Sequence, residues 1–286
     1  MLLVTGAGGA VGRRVAELVS AAGRPLRLMT RDATKAPSLA GADVVVGDYA
    51  APETLPAVFD GVDTAFLVSG YAREGDRAAL HGNAIRAAKA AGVRRLVYLS
   101  FQGAASTSRF PMARDHAFTE GYLRDAGLPF TALRDNLYLD VLPHLFGEDG
   151  VVRGPAGRGA AAYVSREDVA ATAAATLTGD WDGQRTPDVT GPEALTFPQV
   201  VARLSALTGR ALAYVDEPMD DARRWRAATG APAWEVDTWI GSYLATAAGE
   251  LEAVSDTVAR VTGRPPMNIE TYFTAHPDLL APLRER

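Results

Sequence analysis

The sequence contains no cysteine. That excludes disulfides, thiolate nucleophiles and Cys-ligated zinc or iron–sulfur sites. Four histidines, His81, His116, His144 and His276, are scattered with no HExxH or other close pair, so the pattern calls for no metal. Lysine is nearly missing: Lys35 and Lys89 are the only two among 29 basic residues, and the rest are arginines. A composition biased toward Ala and Arg explains much of that. Any mechanism needing a lysine beyond residue 89 is nevertheless excluded. No run approaches the roughly 18 apolar residues of a membrane span. No block of like charge stands out and the net charge is −5, which argues against nucleic acid or an anionic membrane as partner. No targeting segment precedes the first apolar run, so the expectation is a soluble, cytoplasmic protein.

What is present is ordinary globular composition, 48% hydrophobic and 22% charged over 286 residues, enough for one large core or two smaller ones. Short apolar runs at Leu2–Val4, Leu26–Met29, Val44–Val46, Thr64–Val68, Leu96–Leu99 and Phe130–Leu133 alternate with helical patterns near 10–22, 52–59, 74–91 and 112–126. Several of these helices stop at a glycine: Gly23, Gly61, Gly92 and Gly127. Continuous rather than alternating apolar strands imply burial on both faces. Strands alternating with helices imply right-handed crossovers and a parallel sheet. The fold class is therefore α/β, a doubly wound parallel sheet (Rossmann), with a smaller helix-rich C-terminal substrate subdomain.

The expected division is a dinucleotide-binding core over 1–135, with 161–190 returning to it, and a substrate part over 136–160 and 191–286. In the later segment Leu137–Phe146 reads as helical, Ala161–Val164 and Thr186–Thr190 as strands, and 166–177, 196–208, 217–229 and 232–248 as helices, with a helical tail from Asn268. All four tryptophans follow residue 180. Trp225, Trp234 and Trp239 are read as core packing one by one, or together as a wall for a flat ligand.

Residues 5–12 read Thr-Gly-Ala-Gly-Gly-Ala-Val-Gly. Gly6, Gly9 and Gly12 form GxxGxxG between strand one and helix one, with Thr5, Ala10 and Val11 beside them. The strict GxGxxG spacing fails. The physics survives: Gly6 for the tight turn, Gly9 for close approach to a pyrophosphate, Gly12 for helix–sheet packing. The helix N-terminus adds free N–H groups and partial positive charge. NAD binders usually carry an acidic residue at the end of strand two. Here Thr30-Arg31-Asp32 comes first, with Lys35 close behind. A guanidinium suits a 2′-phosphate, so the cofactor is expected to be NADP (NADPH) rather than NAD, with Asp32 either pairing with Arg31 or holding ribose. Asp48 and Tyr49 after strand three, and Val68, Ser69 and Gly70 after strand four, complete the expected cofactor site. Asp48 could equally cap the helix that follows.

On these motifs the chain resembles the NmrA-like group of atypical short-chain dehydrogenases/reductases, close to the NAD(P)H:quinone oxidoreductase 2 type. Ala87-Ala88-Lys89-Ala90-Ala91-Gly92-Val93, Leu99-Ser100, the His116–Glu120 segment, Leu128 to Arg134 and the tail Val258 to Pro266 carry the resemblance over nearly the whole chain. In short-chain dehydrogenases a serine ends strand five and YxxxK opens the next helix, with Tyr as acid and Lys as its helper. Ser100 matches the serine. The YxxxK is missing: relatives' spacing to Glu120 and Gly127 puts Met112 at the Tyr position and His116 at the Lys position. His116 could donate a proton or hold ribose, with Glu120 orienting its ring from one turn on; a bystander histidine is the other reading.

The resemblance implies hydride transfer to a quinone or similar conjugated carbonyl, which needs little acid help because charge delocalises through the ring. It implies a flat small-molecule acceptor facing Phe101 and Gln102 after strand five and Asn136 and Tyr138 after strand six. Monomer and homodimer are both open. Two other functions stay open: a catalytically weak redox sensor of the NmrA type that regulates a partner, and a tailoring reductase or isomerase for an aromatic natural product.

Overall fold

The computed structural model describes residues 1–179 and 183–284. Its first half builds β1 (Leu2–Val4), α1 (Ala10–Ala21), β2 (Leu26–Thr30), β3 (Asp43–Val46), α2 (Leu55–Phe59) and β4 (Thr64–Leu67). Then follow α3 (Asp76–Ala90), β5 (Arg95–Phe101), α4 (Pro111–Ala126) and β6 (Phe130–Asp135). These six strands form one parallel sheet in the order β6-β5-β4-β1-β2-β3. The chain order reverses between β1 and β4, and it is outside the carboxyl ends of strands at such a switch that α/β sheets bind ligands.

Successive side chains of a strand point to opposite faces, and the two sides of the sheet follow from that. Leu2 and Val4 face α1 and α5 (Arg166–Thr178), while Leu3, Met29 and Tyr98 face α2, α3 and α4. The expected two-sided burial holds for β1 and β4 and fails for β3, whose Val44 and Val46 are exposed. As the edge strand, β3 lacks cover that its apolar sequence does not reveal.

The later segment departs from expectation in detail. Leu139–Leu145 is a 3-10 helix with Pro143 inside, and proline in a helix removes a donor. The strand expected over Ala161–Val164 shortens to β8 (Ala160–Ala161), following β7 (Val151–Arg153). The strand expected over Thr186–Thr190 shortens to β10 (Asp188–Val189), and a separate two-residue strand β9 (Gln184–Arg185) precedes it across Pro187, both parallel to β6. Strands β11 (Leu195–Thr196) and β12 (Ala213–Val215) pair with β8 and β7. Helix α6 (Phe197–Thr208) opens on a Thr196/Gln199 capping box. Helices α7 (Met219–Ala227) and α8 (Ala233–Ala247) come next. Helix α9 (Thr257–Thr262) returns to pack on α5, and α10 (Ile269–Ala275) and α11 (Ala281–Arg284) close the chain. A third core joins Phe101 and Phe110 to Leu142, Phe197, Tyr243 and Phe273 across the two parts of the chain.

Candidate active site

Gly6 has φ +60°, the left-handed conformation that the sharp exit from β1 requires. A Cβ on Gly12 would lie 2.3 Å from the Gly6 carbonyl oxygen, so only glycine lets α1 start against this turn. The first N–H groups of α1 are left with no side-chain cap at Gly9. A free helix start of this kind is an anion cradle. The residues present therefore fit a dinucleotide.

One cavity of about 550 Å³ opens from this cradle. Gly9, Ala10, Val11 and Gly12 line one end, and Val68, Ser69 and Gly70 follow after β4. The far end is aromatic, with Phe101, Phe110, Phe197 and Tyr243. Tyr71, 61% exposed, also lines the cavity and carries Trp234 against its ring at 5.4 Å.

Thr5 and Tyr49 lie behind the cradle. The Thr5 hydroxyl donates to the Phe66 carbonyl (2.9 Å) and accepts from the Val68 N–H (2.9 Å) and the Tyr49 hydroxyl (2.6 Å). That clip ties β1, β4 and the turn after β3 into one rim. Asp48 accepts from the Ala50 N–H at 3.0 Å, so its carboxylate shapes the turn before α2. At the end of β2, Arg31 and Lys35 are exposed. Asp32 pairs with neither: its carboxylate takes the Thr34 hydroxyl (2.7 Å) and N–H (3.0 Å), which hold its pKa below the usual range. Arg13, which the motif reading passed over although it directly follows Gly12, donates to the Lys35 carbonyl at 2.7 Å.

On α4, Met112 and His116 stand one turn apart and both line the cavity. Their partners decide the His116 tautomer. Arg77 has only donors and meets Nε2 at 2.8 Å, so Nε2 is the acceptor. Nδ1 then carries the hydrogen and donates to the Tyr98 hydroxyl at 2.8 Å. Beside it, the Gly70 N–H donates to His81 Nε2 (3.2 Å), which leaves His81 Nδ1–H toward Thr119 (2.9 Å). Burial, then the Arg77 charge, pushes the pKa of both imidazoles down, His81 to about 3. Both rings are neutral.

Four expectations need correction. Glu120 does not orient His116. Its carboxylate accepts from Ser100 (2.8 Å) and from Arg134 (2.8 and 2.7 Å), because it reaches back to β5 and β6. Ser100 is fully buried and spent on Glu120, with no part in the cavity wall. Gln102 is likewise turned away, donating to the Ala253 carbonyl at 2.8 Å and accepting from Asn136. Asn136, Phe101 and Tyr138 do line the cavity. The tryptophans do not wall it: Trp225 and Trp239 are exposed, Trp234 backs Tyr71, and Trp181 lies outside the described residues.

The motif reading also missed Asp135 and Arg166. Tyr138 donates to Asp135, whose pKa burial pushes up to about 7, and Arg166 stacks on the Tyr138 ring at 4.6 Å. Asp135, two residues past the apolar run Phe130–Leu133, is the last residue of β6, so strand-end position was the available signal. Among the described residues no group of carboxylates and histidines could hold a metal ion, and no helix is long and apolar enough to cross a membrane.

A family model described as NAD(P)H-binding matches residues 6–180. The chain belongs to that family. An NAD(P)H azoreductase of Xenophilus azovorans is 32% identical over 96% of this chain and 98% of its own. A (4-alkanoyl-5-oxo-2,5-dihydrofuran-3-yl)methyl phosphate reductase of Streptomyces griseus is 34% identical over 99% and 100%. The NADPH-dependent quinone oxidoreductase of Escherichia coli, solved with NADPH, superposes with a TM-score of 0.88 at 30% identity, over 97% of this chain and 100% of that one. The resemblance to NmrA-like oxidoreductases of the quinone oxidoreductase 2 type, read from the motifs, therefore holds over nearly the full length.

Proposed function

We propose that this chain is an NADPH-dependent reductase of quinones and similar conjugated acceptors. One observation carries the reading: a single cavity joins the glycine cradle to an aromatic chamber. The acceptors named for the three relatives differ in skeleton and share a conjugated system ending in oxygen or nitrogen. Such an acceptor takes a hydride with charge delocalised away from the point of attack, so a flat, water-excluding chamber and correct stacking supply most of what the step needs.

When bound, the dinucleotide supplies the hydride. The chain's residues do the holding. The N–H groups at the start of α1, with Gly9, Ala10, Val11 and Gly12, would take the pyrophosphate. Arg31 and Lys35, backed by Arg13, would take a 2′-phosphate, since Asp32 is committed to its own turn. Val68, Ser69 and Gly70 would line the path toward the nicotinamide, and Phe101, Tyr138 and Asn136 would face the acceptor. Ser100, Asp48, Thr5 and Tyr49 hold the frame. Both nitrogens of His116 are engaged by Arg77 and Tyr98, which supports a neutral wall residue over a proton donor, and Met112 has no proton to give.

The test is steady-state oxidation of NADPH and NADH with benzoquinone and naphthoquinone acceptors. Turnover with NADPH favoured is expected. Tight NADPH binding with no turnover across the panel would overturn the reading.

A further inference from the structure

Helix α3 carries a charge that the fold leaves unneutralised. Arg77 is 3% exposed, yet its guanidinium bonds only to uncharged groups. Nε donates to the Gly70 carbonyl (2.7 Å), one terminal nitrogen to the Met112 carbonyl (3.2 Å), and the other to neutral His116 (2.8 Å). Among the described residues no carboxylate forms an ion pair with it. Asp115 and Asp135 feel its charge but are bonded elsewhere, to the Gly75 N–H and the Tyr138 hydroxyl. The other buried arginine shows what the fold does when a cation is structural: Arg226 meets Glu217 at 2.6 Å.

Leaving a buried cation unpaired is costly. A site that accepts the cost gains where negative charge develops. Arg77 lines the cavity beside Met112 and His116, where short-chain dehydrogenases keep Tyr and Lys. A guanidinium has N–H groups to spare: the bonds above leave one on each terminal nitrogen.

We propose that Arg77 is a catalytic residue that binds the oxygen on which negative charge appears as the acceptor is reduced. The proposal rests on the acceptor being a quinone or conjugated carbonyl. Hydride brings two electrons and one hydrogen to the acceptor. The carbonyl π pair moves onto oxygen, and Arg77 holds that oxyanion by its spare N–H groups. One proton from water then neutralises it, so acceptor, NADPH and one proton become reduced acceptor and NADP+. Arg77 keeps its own protons throughout. His116 and the Gly70 and Met112 carbonyls act as positioning groups that fix the guanidinium plane. The same site is expected to take small aromatic carboxylates as dead-end ligands.

The experiment compares Arg77→Gln and Arg77→Lys with the parent protein. It reads kcat and KM for benzoquinone, NADPH affinity, thermal stability, and calorimetric binding of benzoate to the NADP+ complex. The expected result for Arg77→Gln is a kcat about 100-fold lower, NADPH affinity within about threefold of the parent, and no benzoate binding. Arg77→Lys should restore part of both kcat and benzoate binding, which a purely structural role would not predict. Retained kcat and retained benzoate binding in Arg77→Gln overturn the proposal. So does a loss of NADPH affinity as large as the loss of rate, which would give Arg77 to the cofactor. If Arg77→Gln does not fold, parent kinetics decide: benzoate must compete with the acceptor, and failure to compete at about 50 mM overturns it. A parent protein that reduces no quinone yet binds benzoate through Arg77 would fault the acceptor reading and leave the anion site standing.

Discussion

At the cradle end of the cavity the contacts are made by main chain: Gly6 turning, Gly9 open, Gly12 flat against Gly6, and the bare start of α1. At the aromatic end, the proposed acceptor site, the wall is side chain, drawn from α3, α4, the end of β6, α6 and α8. The difference teaches where tolerance lies. A cradle of backbone atoms has one geometry and fails if a single Cβ intrudes. A chamber of side chains can be re-cut to a new acceptor without moving the sheet, which fits three full-length relatives whose named acceptors differ.

The sharpest way to break this contrast is at Gly12. In Gly12→Ala the new Cβ meets backbone only, at 2.3 Å from the Gly6 oxygen and 2.7 Å from its carbon. Backbone cannot rotate away as a side chain can, so α1 must shift. A cost of about 3 kcal/mol is expected, read as NADPH affinity lowered about 100-fold together with a lower Tm. Phe197→Leu at the other end should change KM among acceptors and leave NADPH affinity alone. Equal sensitivity of both ends would dissolve the distinction.

The same contrast explains what could be read in advance. The cradle was legible because backbone geometry writes itself as glycine at fixed spacing between an apolar run and a helix. The parallel sheet was legible because two-sided burial leaves unbroken runs such as Thr64–Leu67. The chamber was not. Arg77, Asp135, Phe197 and Tyr243 come from elements far apart in the chain, and no local pattern distinguishes Arg77 on α3 from any surface arginine. Glu120 shows the limit of spacing arguments: one turn from His116 it shares a helix face, but Arg134 and Ser100 across the sheet claim it. Spacing tells which residues can meet, and tertiary partners decide which do.

The proposed 2′-phosphate position, after the end of β2, is built of exposed side chains. Arg31→Ala with Lys35→Ala should lower NADPH affinity roughly 10- to 30-fold, about 2 kcal/mol for the lost charge-assisted bonds. NADH affinity should hardly move. Titration of the double variant with both cofactors checks this, and a parallel fall in NADH affinity would place these residues in the general cradle instead.

A smaller effect concerns the buried imidazoles that back the chamber. His81 has its folded pKa lowered from 6.5 to about 3 by burial and by Arg77. Below pH 6.5 the unfolded chain binds a proton there that the folded chain refuses, so this stability is present above 6.5 and lost as pH falls. His81→Gln removes that titration. The stability gap between parent and variant should therefore shrink by about 1.4 kcal/mol for each pH unit below 6.5, measured by urea unfolding at pH 7, 6 and 5. Comparing the two proteins cancels Asp135, whose raised pKa works in the opposite sense. A gap that stays constant would mean the His81 ring is reached by water.

The least effect is expected at Trp225, and it isolates the chamber's boundary. Its indole is 45% exposed, donates to Glu217 at 2.9 Å and lies under Arg226 at 4.2 Å, all outside the cavity wall. Trp225→Phe keeps the ring and loses one hydrogen bond to a carboxylate that Arg226 still holds. A loss of about 1 kcal/mol is expected, seen as a slightly lower Tm, with kcat and both KM values within about twofold of the parent. Any larger kinetic change would extend the acceptor chamber to α7 and make an exposed aromatic part of a site that otherwise ends at Tyr243.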